Sequence, residues 1–191
     1  NPIDKKPVNK VIQFLLETGT ASIRWPGGCG VHNFNWKKTV GPLIERPNQV
    51  FGLPEFLYSS KLIGADPIIT LADYWGDPVD FADMVEYLNS PIGANLNGGM
   101  DWASIRLQDG HPEPHNVIWF EYGNETYHGD HNLSELSVSE YIKQYRNVYF
   151  AMKAIDKDIK IGAVLKNGSI PELSYWTMKV IEGTGDIADF Y

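Results

Sequence analysis

Val117-Ile118-Trp119-Phe120-Glu121-Tyr122-Gly123-Asn124-Glu125 is the stretch on which the reading of this chain turns. Its first six residues are mostly β-branched or aromatic, the composition of a strand, and Gly123 stops the run. Asn124 and Glu125 then stand directly at the strand's C-terminal end. A carboxyl there, flanked by Trp119, Tyr122 and Tyr127, is expected to be partly desolvated and so kept protonated near neutral pH, as a general acid must be. An asparagine beside it can donate a hydrogen bond to a sugar hydroxyl. Taken alone, the tripeptide fits an ordinary start of a helix as well as a catalytic site, so its neighbours must decide.

Downstream, a loop carries His128, Asp130 and His131, and Ser137 with Glu140 forms a capping box. The helix behind it repeats Tyr141, Tyr145, Val148, Met152 and Ile155, and residues 159–164 supply the next strand. Ser169-Ile170-Pro171-Glu172 predicts another capped helix through Ile181, and residues 187–191 predict a fifth strand. Upstream, Val8, Val11, Ile12, Leu15 and Leu16 lie at helical spacing up to Gly19, where a left-handed cap is expected. Residues 21–25 read as a first strand, halted by Pro26-Gly27-Gly28. Leu53-Pro54 opens a helix ending before Gly64, and residues 67–71 form an apolar run of the kind seen in strands covered on both faces. Asp77-Pro78 caps a helix with Phe81, Met84, Val85 and Leu88 on one side. Residues 89–116 form a long Gly-, Asn- and Pro-rich connection, with a short helix near Trp102 to Leu107; length of this kind suggests function.

Alternating strands and helices predict an α/β fold with a parallel sheet built from right-handed crossovers. A doubly wound nucleotide-binding sheet calls for a glycine-rich phosphate loop after its first strand, and neither G-x-G-x-x-G nor G-x-x-x-x-G-K-[ST] occurs. In a (β/α)8 TIM barrel, functional residues gather at the C-terminal ends of several strands, as the polar and aromatic residues do here after the first three. The expectation is a partial barrel over residues 1–191, truncated at both ends, with about five of eight strand-helix units.

Composition agrees with a folded, core-forming protein: 191 residues, 43% hydrophobic and 21% charged. A net charge of −8 argues against nucleic acid or an anionic membrane as the main partner. No run approaches the roughly 20 apolar residues that span a bilayer. The start has no signal-peptide core and reads as though cut from a longer chain, and the compartment stays open. A single cysteine, Cys29, excludes an internal disulfide and a Cys-rich zinc site.

Several motifs occur in one order: Arg24-Trp25-Pro26-Gly27-Gly28-Cys29, Trp36, residues 41–47 (GPLIERP), Phe51-Gly52, Glu55-Phe56-Leu57, Ile63-Gly64-Ala65, and His111-Pro112-Glu113-Pro114 leading into Gly123-Asn124-Glu125. Together they resemble glycoside hydrolase family 51, the α-L-arabinofuranosidases, which are retaining (β/α)8 enzymes; the match is strongest from about residue 20 to 130. The resemblance implies that Glu125 is the general acid/base and that Asn124 binds the hydroxyl next to the anomeric carbon. It also implies that Arg24 lies at the floor of the site and that Cys29 contacts the sugar, where the family commonly has asparagine but also cysteine. Read without the family, Cys29 is a small buried hydrophobe and Arg24 an ion pair between strand ends.

A retaining mechanism needs a second carboxylate about 5–5.5 Å from the first. In the family it ends the seventh strand, which places it beyond these residues if the first strand here is the family's second. The family's first strand, with a substrate-binding glutamate, would likewise precede Asn1. Glu172 and Glu182 read as outer-helix residues, Glu135 as a loop residue and Glu121 as a paired core residue. Residues 72–77 (ADYWGD) replace the family's Asn-Gly type turn, which bears on arabinose specificity.

Other candidates are weaker. His128, Asp130 and His131 lack zinc spacing, and no metal or cofactor is assigned. Trp25, Trp36, Trp75 and Trp102 are expected in or beside loops, where indoles could stack on sugars. Three sequons, at Asn124, Asn132 and Asn167, receive no role. The partner expected is a carbohydrate substrate. Alternatives are an endo-glucanase or xylanase of the same clan and a non-catalytic carbohydrate-binding fragment. An open five-stranded sheet also predicts self-association or pairing with missing barrel segments.

Overall fold

A computed structural model of the chain describes residues 8–128, 136–166 and 175–191. Helix α1 (Asn9–Glu17) leads to β1 (Ser22–Trp25), and α2 (Leu53–Ile63) to β2 (Asp66–Leu71). Next come α3 (Pro78–Asn89), α4 (Trp102–Gln108), β3 (Trp119–Tyr122), α5 (Val138–Ile155), β4 (Lys160–Ala163) and α6 (Tyr175–Thr184). The four strands form one sheet in the order β1-β2-β3-β4, and every pair is parallel. Each strand therefore lies beside its predecessor, the strand order of a barrel rather than of a doubly wound sheet, whose order reverses at a switch point.

Parallel register puts Trp25, Ile69, Leu71, Phe120, Tyr122, Ile161 and Ala163 on one face, where all are buried. That face takes the apolar stripes of α3 and α5, including Phe81, Val85, Tyr141, Tyr145 and Met152. Burying a large apolar side chain contributes roughly 1.5–3 kcal/mol, so this layer dominates the fold's stability. The opposite face carries Arg24, Ile68, Thr70, Trp119 and Glu121. Thr70 is buried there, but Trp119 is exposed. None of residues 67–71 is exposed, and Thr70 is buried on this face as well, while the same face is open at Trp119 on β3.

Local signals placed most elements. Asp77 and Ser137 accept hydrogen bonds from the first-turn amides of α3 and α5, with Asp80 and Glu140 completing capping boxes. Gly19 and Gly64 take φ of 64° and 68° beyond the ends of α1 and α2, a conformation glycine adopts without a Cβ penalty. The apolar stripe of α1 stays largely exposed, with no buried residue.

The fifth strand reduces to a single bridge between Gly162 and Phe190. Ile187 and Ala188 donate to the carbonyl of Thr184, so they finish the turn after α6 instead of joining the sheet. The capped start predicted at Ser169–Glu172 lies outside the described residues, as do Asp130, His131, Glu135 and the sequons at Asn132 and Asn167.

The long connection 89–116 is structural. It joins the end of a helix to the start of β3, so it runs on the face away from the strands' C-terminal ends. Arg106, fully buried, donates to the carbonyls of Tyr87 at 2.7 Å, Ser90 at 2.8 Å and His111 at 3.1 Å, tying the end of α3 to the loop. Those carbonyls have no intrahelical donor, and the guanidinium supplies them.

Candidate active site

The loops after β1 and β3 meet above the sheet. Arg24 on β1 and Glu121 on β3 project from the open face on either side of β2, and Arg24 Nε donates to Glu121 Oε2 at 2.5 Å. Arg24 Nη1 also donates to Asn124 Oδ1 at 3.2 Å, so one guanidinium fixes both a strand residue and the turn beyond it. Arg24 is thus an ion pair between strand ends and a component of the site at once. Glu121 is paired as expected, yet it faces the open side and lines the site rather than the core.

Gly123 takes φ of 86°, and a Cβ there would meet the side chains of Thr126 and Asp73. The turn therefore needs glycine, and it swings Asn124 and Glu125 out over the strand end. Cys29, in a short 3₁₀ turn after β1, lies opposite: its thiol is 3.9 Å from Glu125 Oε2, and Asn124 Nδ2 is 3.8 Å from the sulfur. All four residues singled out from the sequence, Arg24, Cys29, Asn124 and Glu125, are brought together. A cleft of about 380 Å³ opens beside them, lined by Arg24, Glu121, Asn124, Glu125, the strand end 162–165, Phe190 and Tyr191.

The electrostatics of Glu125 differ from expectation. Its side chain is 52% exposed, and its carboxyl is held below the usual carboxylate range. The hydrogen bond with His128 Nε2 at 3.3 Å is the main cause, followed by that from the Tyr127 hydroxyl at 3.2 Å. Of the three aromatics expected to flank it, Tyr127 reaches the carboxyl while Tyr122 and Trp119 do not. Tyr122 points to the helical side, donating to Gln144 at 2.9 Å, and Trp119 lies edge-on to Phe190. Alternation along β3 sends these rings to positions where they cannot desolvate a residue beyond the strand's end.

The tryptophans are also corrected. Trp25, Trp36 and Trp102 are 6%, 1% and 8% exposed and pack in the core; Trp75, partly buried, sits edge-on to Phe81. None offers an open indole face to the cleft lining.

Beneath the turn lies a buried group that sequence reading missed. His32 Nδ1 and Asp73 Oδ1 are 2.7 Å apart, and Asp73 Oδ2 accepts from Thr126 Oγ1 at 2.6 Å. Burial raises the Asp73 carboxyl above its ordinary range, against the hydrogen bonds from Thr126 and His32. The available signal was Asp73 itself, an acid two residues beyond the end of the apolar second strand. Glu182 is exposed and pairs with Lys179 on α6, as expected of an outer helix.

Four parallel strands in sequential order, with polar side chains collected at their C-terminal ends, define a segment of a (β/α)8 barrel. The family profile described as "Alpha-L-arabinofuranosidase 1 domain" matches residues 15–184, and the chain belongs to that family, the arabinofuranosidases of glycoside hydrolase family 51. Among curated relatives, the intracellular exo-α-(1→5)-L-arabinofuranosidase of Halalkalibacterium halodurans is 29% identical over 194 residues, covering 94% of this chain and 37% of the relative. That of Acetivibrio thermocellus is 28% identical, with 94% and 37% covered. Among solved structures, the Thermotoga maritima α-L-arabinofuranosidase in complex with arabinose superposes with a TM-score of 0.82 at 29% identity, covering 95% of this chain and 38% of that one. The Thermotoga petrophila family 51 enzyme gives 0.83 at 27%, covering 98% and 40%. The chain thus spans somewhat over a third of the length of these relatives.

Proposed function

We propose that this chain supplies the acid/base half of a retaining α-L-arabinofuranosidase that releases terminal arabinofuranosyl residues from arabinose-containing poly- or oligosaccharides. The observation that carries the reading is the convergence of Arg24, Cys29, Asn124 and Glu125 from two strand ends, with Arg24, Asn124 and Glu125 lining one cleft and Cys29 against the last two. The arabinofuranosidases to which the chain is similar, one of them solved in complex with arabinose, favour an arabinofuranoside over a glucan or xylan.

In this reading Glu125 protonates the departing glycosidic oxygen and then takes a proton from water, while a second carboxylate attacks the anomeric carbon. The resemblance puts that nucleophile on a later barrel strand than the four described. Asn124, oriented by Arg24, donates from Nδ2 to the neighbouring hydroxyl, and Cys29 contacts the same sugar. Acid catalysis requires Glu125 protonated, whereas His128 and Tyr127 favour its ionised form here. A bound sugar that displaces water and these two donors would restore the proton, because desolvation raises a carboxyl pKa.

The test is Glu125→Gln in the full-length protein. Hydrolysis of an arabinofuranoside with a poor leaving group should fall roughly 10²–10⁴-fold, the usual share of general acid-base catalysis, with a smaller loss for an activated aryl substrate. Unchanged turnover of the poor-leaving-group substrate would sink the assignment.

A further inference from the structure

Glu125, which lines the cleft, also belongs to a donor set of a second kind. Cys29 Sγ, a Glu125 carboxylate oxygen and an imidazole nitrogen of His128 all lie within 4.8 Å of one another, the thiol coming from the turn after β1 and the other two from the single turn after β3. Tetrahedral zinc takes sulfur at about 2.3 Å and nitrogen or carboxylate oxygen at about 2.0–2.2 Å, which sets the distances between ligand atoms at about 3.4–3.6 Å. The sulfur-to-oxygen distance is 3.9 Å and the nitrogen-to-oxygen distance 3.3 Å. The third edge, from sulfur to nitrogen, is within 4.8 Å, so a shift of at most about 1.2 Å along it, on side chains that are partly or largely exposed, would close the triangle.

We propose that Cys29, Glu125 and His128 form a three-ligand site for a borderline-soft divalent cation of the zinc class, bound directly to the Glu125 carboxylate. Thiolate, imidazole and carboxylate together suit zinc, whereas magnesium and calcium prefer all-oxygen sets. Binding breaks the thiol S–H bond, whose proton passes to solvent, and forms the metal–sulfur bond. The His128 contact with Glu125 is replaced by one metal bond to each. Asn124 Nδ2, 3.8 Å from the sulfur, then donates to the thiolate from outside the coordination sphere. Three protein ligands leave a fourth position for water. A metal seated on Glu125 takes the lone pair that must accept and return the proton. The site is therefore inhibitory, a consequence that rests on the acid/base reading, while the site itself rests on geometry alone.

Cobalt(II) titration of the full-length protein, reduced and freed of metal, tests this. The expected result is a thiolate-to-cobalt charge-transfer band that saturates at one equivalent, is displaced by zinc and is unaffected by magnesium. It should vanish in Cys29→Ser and in Cys29→Asn, whose two independent side chains guard against a folding defect in either. In His128→Gln the affinity should fall at least about tenfold, a loss already produced by removing outer-sphere partners of a metal. Absence of a Cys29-dependent band, or equal affinity in His128→Gln, overturns the site. Zinc that displaces cobalt yet leaves arabinofuranoside hydrolysis unchanged would uphold the site and overturn the role of Glu125.

Discussion

His32 and Asp73, forty-one residues apart, meet at 2.7 Å directly below the turn that carries Glu125, with side chains 2% and 0% exposed. Asp73 uses its other oxygen to hold Thr126, the residue after Glu125, and its side chain fills the space that a Cβ on Gly123 would need. Position of the candidate acid is thus passed through a buried polar link. Replacing His32 by Leu should leave the Asp73 carboxyl short of a partner and cost about 3 kcal/mol or more in urea denaturation, since breaking a buried pair strands the remaining group. Amide shifts of Thr126 and Glu125 should move with it; a stability loss without those shifts would mean that the link does not position the turn.

Arg46 and Glu55 form a second enclosed pair, two-pronged at 2.6 and 2.9 Å, with side chains 3% and 5% exposed. Burial alone would raise the Glu55 carboxyl, but hydrogen bonds from Arg46 and the Gly52 amide outweigh it and leave it below its ordinary value of 4.5. A depressed carboxyl stabilises the fold in full above that value, and the contribution is lost as pH falls through the lower, folded-state pKa. Arg46→Met should cost about 3–5 kcal/mol at pH 7. Denaturation midpoints of both proteins, measured from pH 7 to 3, should converge as Glu55 takes up its proton.

His115 gives stability a second pH dependence. Burial pushes its imidazole down from 6.5 to about 4, with repulsion from His111, Arg106 and Lys61 adding to the effect. The unfolded chain therefore binds the proton first on acidification. Stability is full above 6.5 and falls as pH drops toward 4, by at most about 3 kcal/mol for this residue. His115→Gln should flatten the midpoint-versus-pH curve in that window, and an unchanged slope would locate the acid sensitivity elsewhere.

The hydrogen bond between His128 and Glu125 is the largest influence holding that carboxyl ionised. His128→Ala should raise the Glu125 pKa, and Tyr127→Phe should raise it less. Carbon-13 carboxyl shifts followed across a pH titration of each variant read this directly. A larger effect from Tyr127→Phe would reverse the ranking of the two donors.

Chain order alone settled much of this protein. Alternating strand and helix signals, the capping residues Asp77 and Ser137, and Gly64 after α2 are local: each depends on a few neighbours and on backbone sterics, so the sequence carries them without tertiary help. The motifs from Arg24 to Glu125 singled out four residues that the fold brings together, Arg24, Cys29, Asn124 and Glu125. What those residues face was beyond sequence reading. Which rings cover Glu125, whether Trp36 meets a sugar or the core, and that residues 187–188 finish a helix instead of starting a strand all depend on strand alternation and packing across the sheet. The link from His32 to Asp73, and the approach of Cys29 to His128, join segments separated by tens of residues. Such contacts arise only when parallel strands bring their C-terminal ends side by side, and that closure is a property of the folded chain.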